Sequence, residues 1–430
     1  MSDDAFDAII VGAGPAGSVA AYVLAKAGKQ VLVVERGNFA GSKNMTGGRV
    51  YSHSLKKVFP EFENEAPLER KITREKISFI SPDSNFSIDF TGECLGVEGK
   101  DSYSVLRGPF DQWLADKAEE AGAEFIYGIR IDDLIVRGGV ICGVRADEDE
   151  IEARVTILAD GVNSLLAQKI GFISEPPLHE VAVGVKELIE LPSEVIESRF
   201  NCNEGEGAAS LYVGDATHGH VGGGFIYANK ESVSIGVVAT LSDLINAEMP
   251  IYQMLEDFKN HDAIRPLIKG GKLIEYSGHL VPEGGYNMIP KLVGNGVLLT
   301  GDAAMLCINL GYSVRGIDFA ISSGEMAAEA TIRALDSNDF SEHNLSIYSD
   351  SLNNSYVIKD LIAFKKFPHF MESTTRLFKE YPTMIRDMMC ALFVVDGNPV
   401  EPVRKKMMSP IKEVGLMNIL KDLKGGLSAL

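Results

Sequence analysis

The 430-residue sequence has few cysteines, one tryptophan and no long apolar run. Its five cysteines, at 94, 142, 202, 307 and 390, are never closer than 48 residues, and no C-x-x-C pair occurs. This spacing disfavours a zinc ribbon or an iron–sulfur segment and is typical of a reducing compartment. No apolar stretch approaches the ~18 residues of a membrane-spanning helix. The opening MSDD lacks the positive charge of a signal peptide, so we expect a cytoplasmic protein, or one bound peripherally to the cytoplasmic membrane.

Positive charge is also scarce. The chain has 41 Lys and Arg against 60 Asp and Glu, a net charge of −19. Nucleic acid is therefore not an expected partner, because phosphate binding needs a basic surface. The last 80 residues differ, with 12 basic and 8 acidic side chains. Two interpretations of this tail stay open: an ordinary solvated helical segment, or a docking face for anionic lipid or an acidic partner.

The N-terminal segment carries a nucleotide-binding pattern. It consists of a strand over 6–11, a turn with Gly12, Gly14, Ala16 and Gly17, a helix over 18–27, a strand over 30–34, and Glu35. Glycines let the backbone approach a pyrophosphate, and the helix N-terminus supplies N–H donors and a positive dipole. A carboxylate at position 35 is placed to accept hydrogen bonds from the ribose hydroxyls of an adenosine.

Two later segments indicate which dinucleotide binds. Each is a strand that delivers an aspartate to a loop, and the residues concerned are Asp160, Gly161, Gly301, Asp302, and Gly316 and Ile317 at the start of the next helix. Such an aspartate can hold a ribityl chain, while the helix N-terminus faces a flavin ring oxygen. Each aspartate alone could be a plain helix cap. Their order resembles the FAD pattern of the glutathione-reductase and hydroxylase superfamily. No second G-x-G-x-x-G follows a strand, so we predict FAD and no separate NAD(P)H domain.

Two further residues extend the predicted cofactor site. Arg107 ends a strand just before an amphipathic helix over 110–122, where it could lie over the cofactor's phosphates or adenine. The alternative is an ordinary surface arginine. Strands are predicted over 123–136 and 140–146, and the first, which includes Ile131, would place backbone against the adenine.

The chain resembles the FixC and electron-transfer-flavoprotein:quinone oxidoreductase family along nearly its whole length, and most closely the short bacterial FixC-type members. The segments that carry the resemblance include GAGPAG at 12–17, VVER at 33–36, KNMTGG at 43–48, ILADGVNS at 157–164, AVGVKE at 182–187, HVGGGFIY at 220–227, GGYNMIPKL at 284–292 and GDAAML at 301–306. The resemblance adds Arg36, Lys43, Gly47 and Gly48 to the cofactor-binding residues. Met305 stands where relatives often have Gly or His.

The resemblance implies an α/β fold: a Rossmann-like FAD-binding domain, an inserted antiparallel β-rich substrate domain and a C-terminal helical region. We predict the FAD domain over 1–75, 105–180 and 281–335. The quinone or substrate domain is predicted over 76–104 and 181–280, and the helical region over 336–430. Segments 362–370 and 384–395 of that region mix apolar and cationic residues, which suits either packing against the body or burial in a membrane surface.

The resemblance also implies electron transfer. Electrons would pass from an electron-transfer flavoprotein with FixA/FixB-like subunits to this FAD and on to quinone. A FixX-like ferredoxin would replace the C-terminal four-cysteine domain of the large members, which this chain lacks. Gly222 and Gly223 would lie against the quinone headgroup, where a Cβ would hold the ring away. The alternative is a β-bulge without a ligand.

Two rival functions remain open from sequence. One is an NAD(P)H-dependent flavin reductase or monooxygenase that acts on a prenyl, lipidic or small aromatic substrate, since geranylgeranyl reductases look similar around GDAA. The other is a non-enzymatic flavin-stabilised subunit. No acid–base or nucleophilic constellation is evident, and no metal site is expected, because the chemistry would belong to the cofactor.

Overall fold

The computed structural model describes residues 5–43, 47–247 and 249–430. The strands are β1 (Phe6–Val11), β2 (Val31–Glu35), β3 (Gly47–Tyr51), β4 (Leu68–Ser81), β5 (Ser84–Thr91), β6 (Ser102–Leu106), β7 (Glu124–Tyr127), β8 (Asp133–Arg137), β9 (Val140–Ala146), β10 (Asp149–Leu158), β11 (Val181–Glu190), β12 (Glu206–Gly214), β13 (Gly222–Ala228), β14 (Ser232–Thr240), β15 (Lys272–Pro282), β16 (Val293–Gly294), β17 (Val297–Leu299), β18 (Ile308–Asn309) and β19 (Val314–Arg315).

The helices alternate with these strands and then dominate the C-terminal part. They are α1 (Pro15–Lys26), α2 (Ser52–Val58), α3 (Phe62–Glu65), α4 (Arg107–Glu120), α5 (Leu165–Lys169), α6 (Ser193–Phe200), α7 (Leu241–Ala247), α8 (Ile251–Asn260), α9 (Arg265–Ile268), α10 (Ile317–Ser337), α11 (Glu342–Leu345), α12 (Ile347–Asn354), α13 (Tyr356–Ala363), α14 (Phe367–Ser373), α15 (Glu380–Phe393), α16 (Val403–Val414) and α17 (Leu416–Ala429).

The first sheet has the order β16-β17-β10-β1-β2-β7, with β8 and β9 attached beside β10. Strands β17, β10, β1, β2 and β7 run parallel. Their apolar sequences are buried on both faces, as central parallel strands require. Val11 lies opposite Leu158, and Leu158 opposite Leu299, so three strands end at one level. The loops that follow them therefore gather at one edge of the sheet, where open α/β sheets bind ligands.

Helices α1 and α10 pack over this sheet through glycines. A Cβ at Gly17 would lie 2.0 Å from the carbonyl oxygen of Gly12, and a Cβ at Gly324 would lie 2.2 Å from that of Ala16. Backbone can approach this closely only where no side chain intervenes. The contact places the N-termini of both helices at the same edge of the sheet.

The second sheet has the order β15-β11-β14-β13-β12-β4-β6-β3, with β5 beside β4. Helices α6 and α8 cover one face with a separate core, which includes Ile196, Phe258 and Ile235. Along β13, Ile226 and Ala228 are buried in that core, whereas Gly223, Phe225 and Tyr227 face a cavity on the other side. This period of two is expected of a strand between a core and an open space.

The structure corrects three details of the predicted organisation. The predicted antiparallel sheet contains one parallel pair, β4 with β12. The single strand predicted over 123–136 is two strands, because the chain turns at Gly128, which has φ +78° and donates to the Gly37 carbonyl at 2.9 Å. The predicted domain boundary between residues 75 and 76 falls inside β4, and the one between 335 and 336 falls in the last turn of α10. Strand β3, which was predicted to belong to the FAD domain, joins the second sheet. The division into three units stays a prediction.

The C-terminal part is helical, as the sequence predicts. Tyr348 on α12 anchors it to the first sheet by donating a hydrogen bond to the Leu299 carbonyl at 2.8 Å. Leu352 and Val357 extend the same core. Within the described ranges, no helix combines the length and apolar character needed to cross a bilayer.

Arg70 on β4 joins several elements of the second sheet. Its side chain is only 1% exposed. The guanidinium donates to Glu197 on α6 at 2.7 Å, to the Glu206 carbonyl on β12 at 2.9 Å and to the Asn229 carbonyl at 2.6 Å. Replacing the arginine would leave buried acceptors without donors. This lowers the free energy of unfolding far more than the loss of a surface ion pair does.

We therefore predict that Arg70→Leu lowers the free energy of unfolding by about 3 kcal/mol, measured by urea denaturation followed by circular dichroism. The matched control is Arg265→Leu, which removes the exposed pair with Asp262 (2.8 Å) and should cost less than about 1 kcal/mol. Equal effects in the two variants would show that the Arg70 network is not a central support of the sheet.

Candidate functional site

A large cavity lies where the edge of the first sheet meets the open face of the second. Its volume is about 1470 Å³, against roughly 300–1,000 Å³ for a typical small-molecule site. The space is therefore sufficient for more than one ligand. All the predicted site residues line it except Gly17 and Gly301, which support the turns behind it.

The glycine turn after β1 fits a dinucleotide. Gly12 has φ +105°, and a Cβ there would lie 2.3 Å from the Ala159 carbonyl oxygen. A Cβ at Gly14 would meet no atom of the described residues within 4 Å, because it would project into the cavity. Among the described residues, no side chain caps the N-terminus of α1 and no acidic residue occupies its first turn. Its N–H groups are thus open to an anion such as a pyrophosphate.

Glu35 and two cations lie beside this turn. The Glu35 carboxylate accepts the Ala13 N–H at 3.0 Å and the Gly37 N–H at 2.6 Å, which fixes its orientation. Each carboxylate oxygen has a second lone pair for a ribose hydroxyl. Arg36 and Lys43 are exposed at the cavity rim, and burial followed by repulsion from Arg36 lowers the pKa of Lys43. Residues 44–46 of the KNMTGG motif lie outside the described residues.

The two predicted aspartates are both half-buried at the cavity wall. Burial raises the pKa of Asp160 to about 6, and its Oδ1 atom is buried without a hydrogen-bond partner among the described residues. Burial also raises the pKa of Asp302, opposed by Arg107. Buried acceptors are rarely left unpaired. The hydroxyl groups of a dinucleotide's ribose and ribityl chain would supply the missing donors, so these residues fit FAD.

Arg107 is not a surface arginine. It begins α4, lines the cavity and donates two hydrogen bonds to Asp111, at 2.8 and 2.7 Å. Ile131 is buried at the wall but lies between β7 and β8 rather than in a strand, and its contact with the adenine stays a prediction. A Cβ at Gly48 would lie 3.3 Å from Ile317 at the start of α10. Gly316, Ile317 and the Gly47–Gly48 pair therefore converge on one part of the cavity.

Gly222 and Gly223 line the cavity. The prediction that glycine is needed there to admit a quinone is wrong as a reason for the residue type. A Cβ at Gly222 would lie 2.0 Å from the Val238 carbonyl oxygen, and one at Gly223 would lie 2.6 Å from that of Tyr212. The neighbouring strands exclude a side chain at both positions, whether or not a ligand is present. The β-bulge alternative is not borne out either, because Gly222 and Gly223 pair with Ala239 and Val238 in unbroken register. Contact with a quinone stays a prediction.

The predicted site omitted several ionisable side chains that line the cavity: Lys186, His279, Glu283 and Cys307. Burial raises the pKa of Glu283 to about 7, and Asn309 donates to its carboxylate at 3.3 Å. Lys186 belongs to the AVGVKE segment. A lysine within an apolar strand is unusual, and this was the sequence signal that could have identified it as a site residue. Met305 does not line the cavity: it is 1% exposed and packs against Val181 and Met288.

Family models match most of the chain. The FAD dependent oxidoreductase family matches residues 7–168, the ubiquinone-binding domain of ETF-QO matches 181–281, and the ETF-QO/FixC C-terminal domain matches 367–430. The chain is 52% identical, over all 430 residues and 100% of both proteins, to the probable electron transfer flavoprotein-quinone oxidoreductase YdiS of Escherichia coli. The chain belongs to the ETF-QO/FixC family.

Other relatives place this FixC-family chain in a wider context. It is 52% identical over 426 residues to the protein FixC of Salmonella typhi, covering 99% of each. The crystal structure of a geranylgeranyl bacteriochlorophyll reductase-like protein from Thermoplasma acidophilum matches with a TM-score of 0.72 at 20% identity, over 95% of this chain and 98% of that one. The flavin-dependent brominase Bmp2 matches at 0.62 and 17% identity, over 96% and 99%. These structures share the fold.

This FixC-family chain is an FAD-dependent oxidoreductase. The residues that would hold the cofactor are those that line the cavity at the glycine turn, the acidic strand end, the two aspartates and the α10 N-terminus: Gly12, Gly14, Ala16, Glu35, Arg36, Lys43, Gly47, Gly48, Arg107, Ile131, Asp160, Gly161, Asp302, Gly316 and Ile317. When bound, the flavin supplies the one- and two-electron redox chemistry.

We predict that Gly14→Val lowers the affinity for FAD at least tenfold, a loss of about 1.4 kcal/mol or more. The Cβ of the new side chain would meet no described atom within 4 Å and would project into the cavity, so the fold should be retained. The control is Gly96→Val, at another position whose Cβ meets nothing within 4 Å but which lies outside the cavity. FAD bound per chain and the circular dichroism spectrum are measured together. Full FAD content in Gly14→Val would contradict the assignment of the turn.

Proposed function

We propose that this chain takes electrons from an electron-transfer flavoprotein with FixA/FixB-like subunits and passes them from its FAD to quinone, alongside a FixX-like ferredoxin. The observation that carries the proposal is the shared cavity. The dinucleotide-binding loops and the sheet of residues 181–281 line one continuous space. A second ligand on that sheet would therefore reach the flavin without crossing a protein layer.

The cavity side of this sheet carries glycines and aromatic side chains, which leave room for a flat ring. Gly184 and Gly223 line the cavity, and Gly236 lies behind the ring of Phe225 on the same side of the sheet. A Cβ at Gly236 would lie 2.4 Å from the Phe225 ring, so this ring packs against the glycine. Phe225 and Tyr227 are neighbours, with ring centroids 5.4 Å apart. Aromatic walls of this kind favour planar apolar groups such as a quinone head.

Sequence similarity to named relatives supports the proposed protein partners. Relatives 50–52% identical over the full length are named FixC, and another is named a probable electron transfer flavoprotein-quinone oxidoreductase. The flavoprotein and ferredoxin partners come from the family resemblance.

We also propose that helices α15 to α17 contact a membrane. Exposed apolar side chains on these helices and on the segment between α15 and α16 include Phe393, Val395, Met417 and Leu427, which are 73–86% exposed. Cations stand among them at Arg404, Lys405, Lys412, Lys421 and Lys424, all exposed. This combination suits an anionic lipid surface, with apolar groups in the acyl boundary and cations at the headgroups. Leu430 is half exposed and also lines the cavity, so this surface adjoins the cavity.

The electron-transfer proposal is tested by anaerobic stopped-flow mixing of the photoreduced holoprotein. Ubiquinone-1 should restore the oxidised flavin absorbance near 450 nm, whereas NADPH mixed with the oxidised protein should not bleach it. The variant Gly184→Val should slow oxidation by quinone about tenfold while FAD content is kept. A Cβ there meets Val238 at an ordinary 3.5 Å, so the fold tolerates it, but the added bulk narrows the cavity.

Gly96→Val again serves as the control for Gly184→Val, with an unchanged rate expected. Rapid bleaching by NADPH with slow oxidation by quinone would instead favour a reductase or monooxygenase. Absence of oxidation by any acceptor would favour a non-enzymatic subunit.

The membrane proposal predicts that the double variant Leu420→Glu, Leu427→Glu co-sediments at least fivefold less with vesicles of phosphatidylglycerol and phosphatidylcholine. Two leucine side chains buried in the lipid would together contribute about 3 kcal/mol to the free energy of binding. Val136→Glu is the control, since Val136 is equally accessible at 55% exposure but lies on β8. Unchanged binding of the double variant, or equal loss in the control, would exclude this surface.

A further inference from the structure

Three ionisable side chains follow one wall of the cavity and are not among the residues assigned to FAD. They are Lys186 on β11 and Glu275 and His279 on β15. In the register of these strands, Lys186 lies opposite Ser277 and Gly184 lies opposite His279. Residues 275, 277 and 279 alternate to the same side as Lys186. Lys186 and His279 line the cavity, whereas Glu275 lies beyond its lining and is partly exposed.

Polar atoms of these side chains, including Oε1 of Glu275, lack hydrogen-bond partners among the described residues. Lys186 is 7% exposed, yet its ammonium makes no hydrogen bond or salt bridge with any described residue. The Nδ1 atom of His279 is likewise buried without a partner among the described residues. Buried polar groups of folded proteins are nearly always paired, with protein, water or ligand. An oxygen-bearing ligand in the cavity would satisfy both groups.

The surroundings of Lys186 favour release of its proton. The charged and titratable groups that face it are Arg107 and Asp111 on α4 and Glu275 and His279 on β15. Burial and the Arg107 charge lower the pKa of Lys186 to about 7, opposed by Asp111 and Glu275. Burial and the Lys186 charge lower the pKa of His279 to about 3, so this imidazole is neutral. Burial raises the pKa of Glu275.

Lys186 also lies within reach of the predicted quinone position. It is adjacent to Gly236 on β14, which in turn pairs with Phe225 on β13. Gly223 is two strands across and two residues along from Lys186. With strands about 4.8 Å apart and a rise of about 3.3 Å per residue, the two Cα atoms are roughly 12 Å apart. A lysine side chain and a quinone ring together span that distance.

We infer that Lys186 contacts the electron acceptor and donates a proton to one of its carbonyl oxygens, and that Glu275 restores that proton. The inference rests on the proposed reduction of quinone. The quinone takes up two electrons from the reduced flavin. One carbonyl oxygen takes the proton that leaves the Lys186 ammonium, and the other takes a proton from water, which gives the quinol. The neutral amine of Lys186 then regains a proton from the Glu275 carboxyl group, which recovers one from solvent. His279 donates or accepts a hydrogen bond and stays neutral.

The test uses the photoreduced holoprotein and two acceptors that differ in their need for protons. Ubiquinone-1 takes up two protons, whereas the ferrocenium ion accepts one electron and no proton. Lys186→Arg keeps the positive charge but holds its proton too tightly to donate it. We expect oxidation of Lys186→Arg and Lys186→Met by ubiquinone-1 to be about a hundredfold slower than wild type, and oxidation by ferrocenium to stay within twofold.

The pH dependence supplies the second kinetic readout. The ammonium form donates the proton, and it is lost as pH rises through about 7. The wild-type rate with ubiquinone-1 should therefore fall about tenfold per pH unit above that value, while the ferrocenium rate stays level. Glu275→Gln should slow repeated turnover more than the first oxidation. Lys272→Met, at an exposed lysine of the same strand, is the control and should match wild type.

An independent readout is the titration of Lys186 itself. In protein labelled with 13C at lysine Cε, one resonance should titrate near pH 7 and disappear in Lys186→Arg. The flavin potential and FAD content are measured in every variant.

Wild-type rates with ubiquinone-1 in Lys186→Arg, or a flat pH profile, would overturn this inference alone. Parallel losses with both acceptors, together with lost FAD or a shifted potential, would show that Lys186 serves the flavin and also overturn it. If wild type is oxidised by ferrocenium but not by any quinone, the proposed function fails and this inference fails with it.

Discussion

The structure depends on backbone contacts that leave no room for side chains around helix α1. Gly17 lies against the Gly12 carbonyl, and Gly324 on α10 lies against the Ala16 carbonyl. A methyl group at either glycine would collide with backbone atoms, which cannot move without displacing a strand or a helix. These contacts hold two helix N-termini at the edge where three parallel strands end. The positive ends of both helices and two half-buried aspartates consequently face one cavity.

The second sheet completes that cavity and determines what can share it. One face is occupied by its own core under α6 and α8, so only the opposite face is open to a ligand. Arg107 and Asp111 form a buried, bidentate pair next to Lys186, and burial in such a setting makes charge expensive unless it is paired. Lys186 lacks a direct partner among the described residues. A buried lysine that holds its proton weakly is suited to transfer it, which is consistent with a reaction that consumes protons on this wall.

The sequence predicted the parts of the site that depend on local order. The glycine turn, Asp160 and Asp302 come just after a strand and Glu35 ends one, so their positions relative to the sheet are set by neighbours in the chain. The role of the glycines at 222 and 223 could not be predicted, because their Cβ directions depend on Val238 and Tyr212 in other strands. Lys186 was missed for the same reason: β14 and β15, distant in sequence, determine that its side chain faces the cavity. The break at Gly128 depends on a contact with Gly37 that local propensity does not encode.

The most direct test of this account is a crystal structure of the chain with FAD and a short-chain ubiquinone. The account predicts both ligands in the one cavity, with the pyrophosphate of FAD at Gly12 and Gly14 and the quinone head on the wall formed by Gly184, Phe225 and Lys186. Quinone density confined to another surface, or FAD density away from the glycine turn, would contradict it.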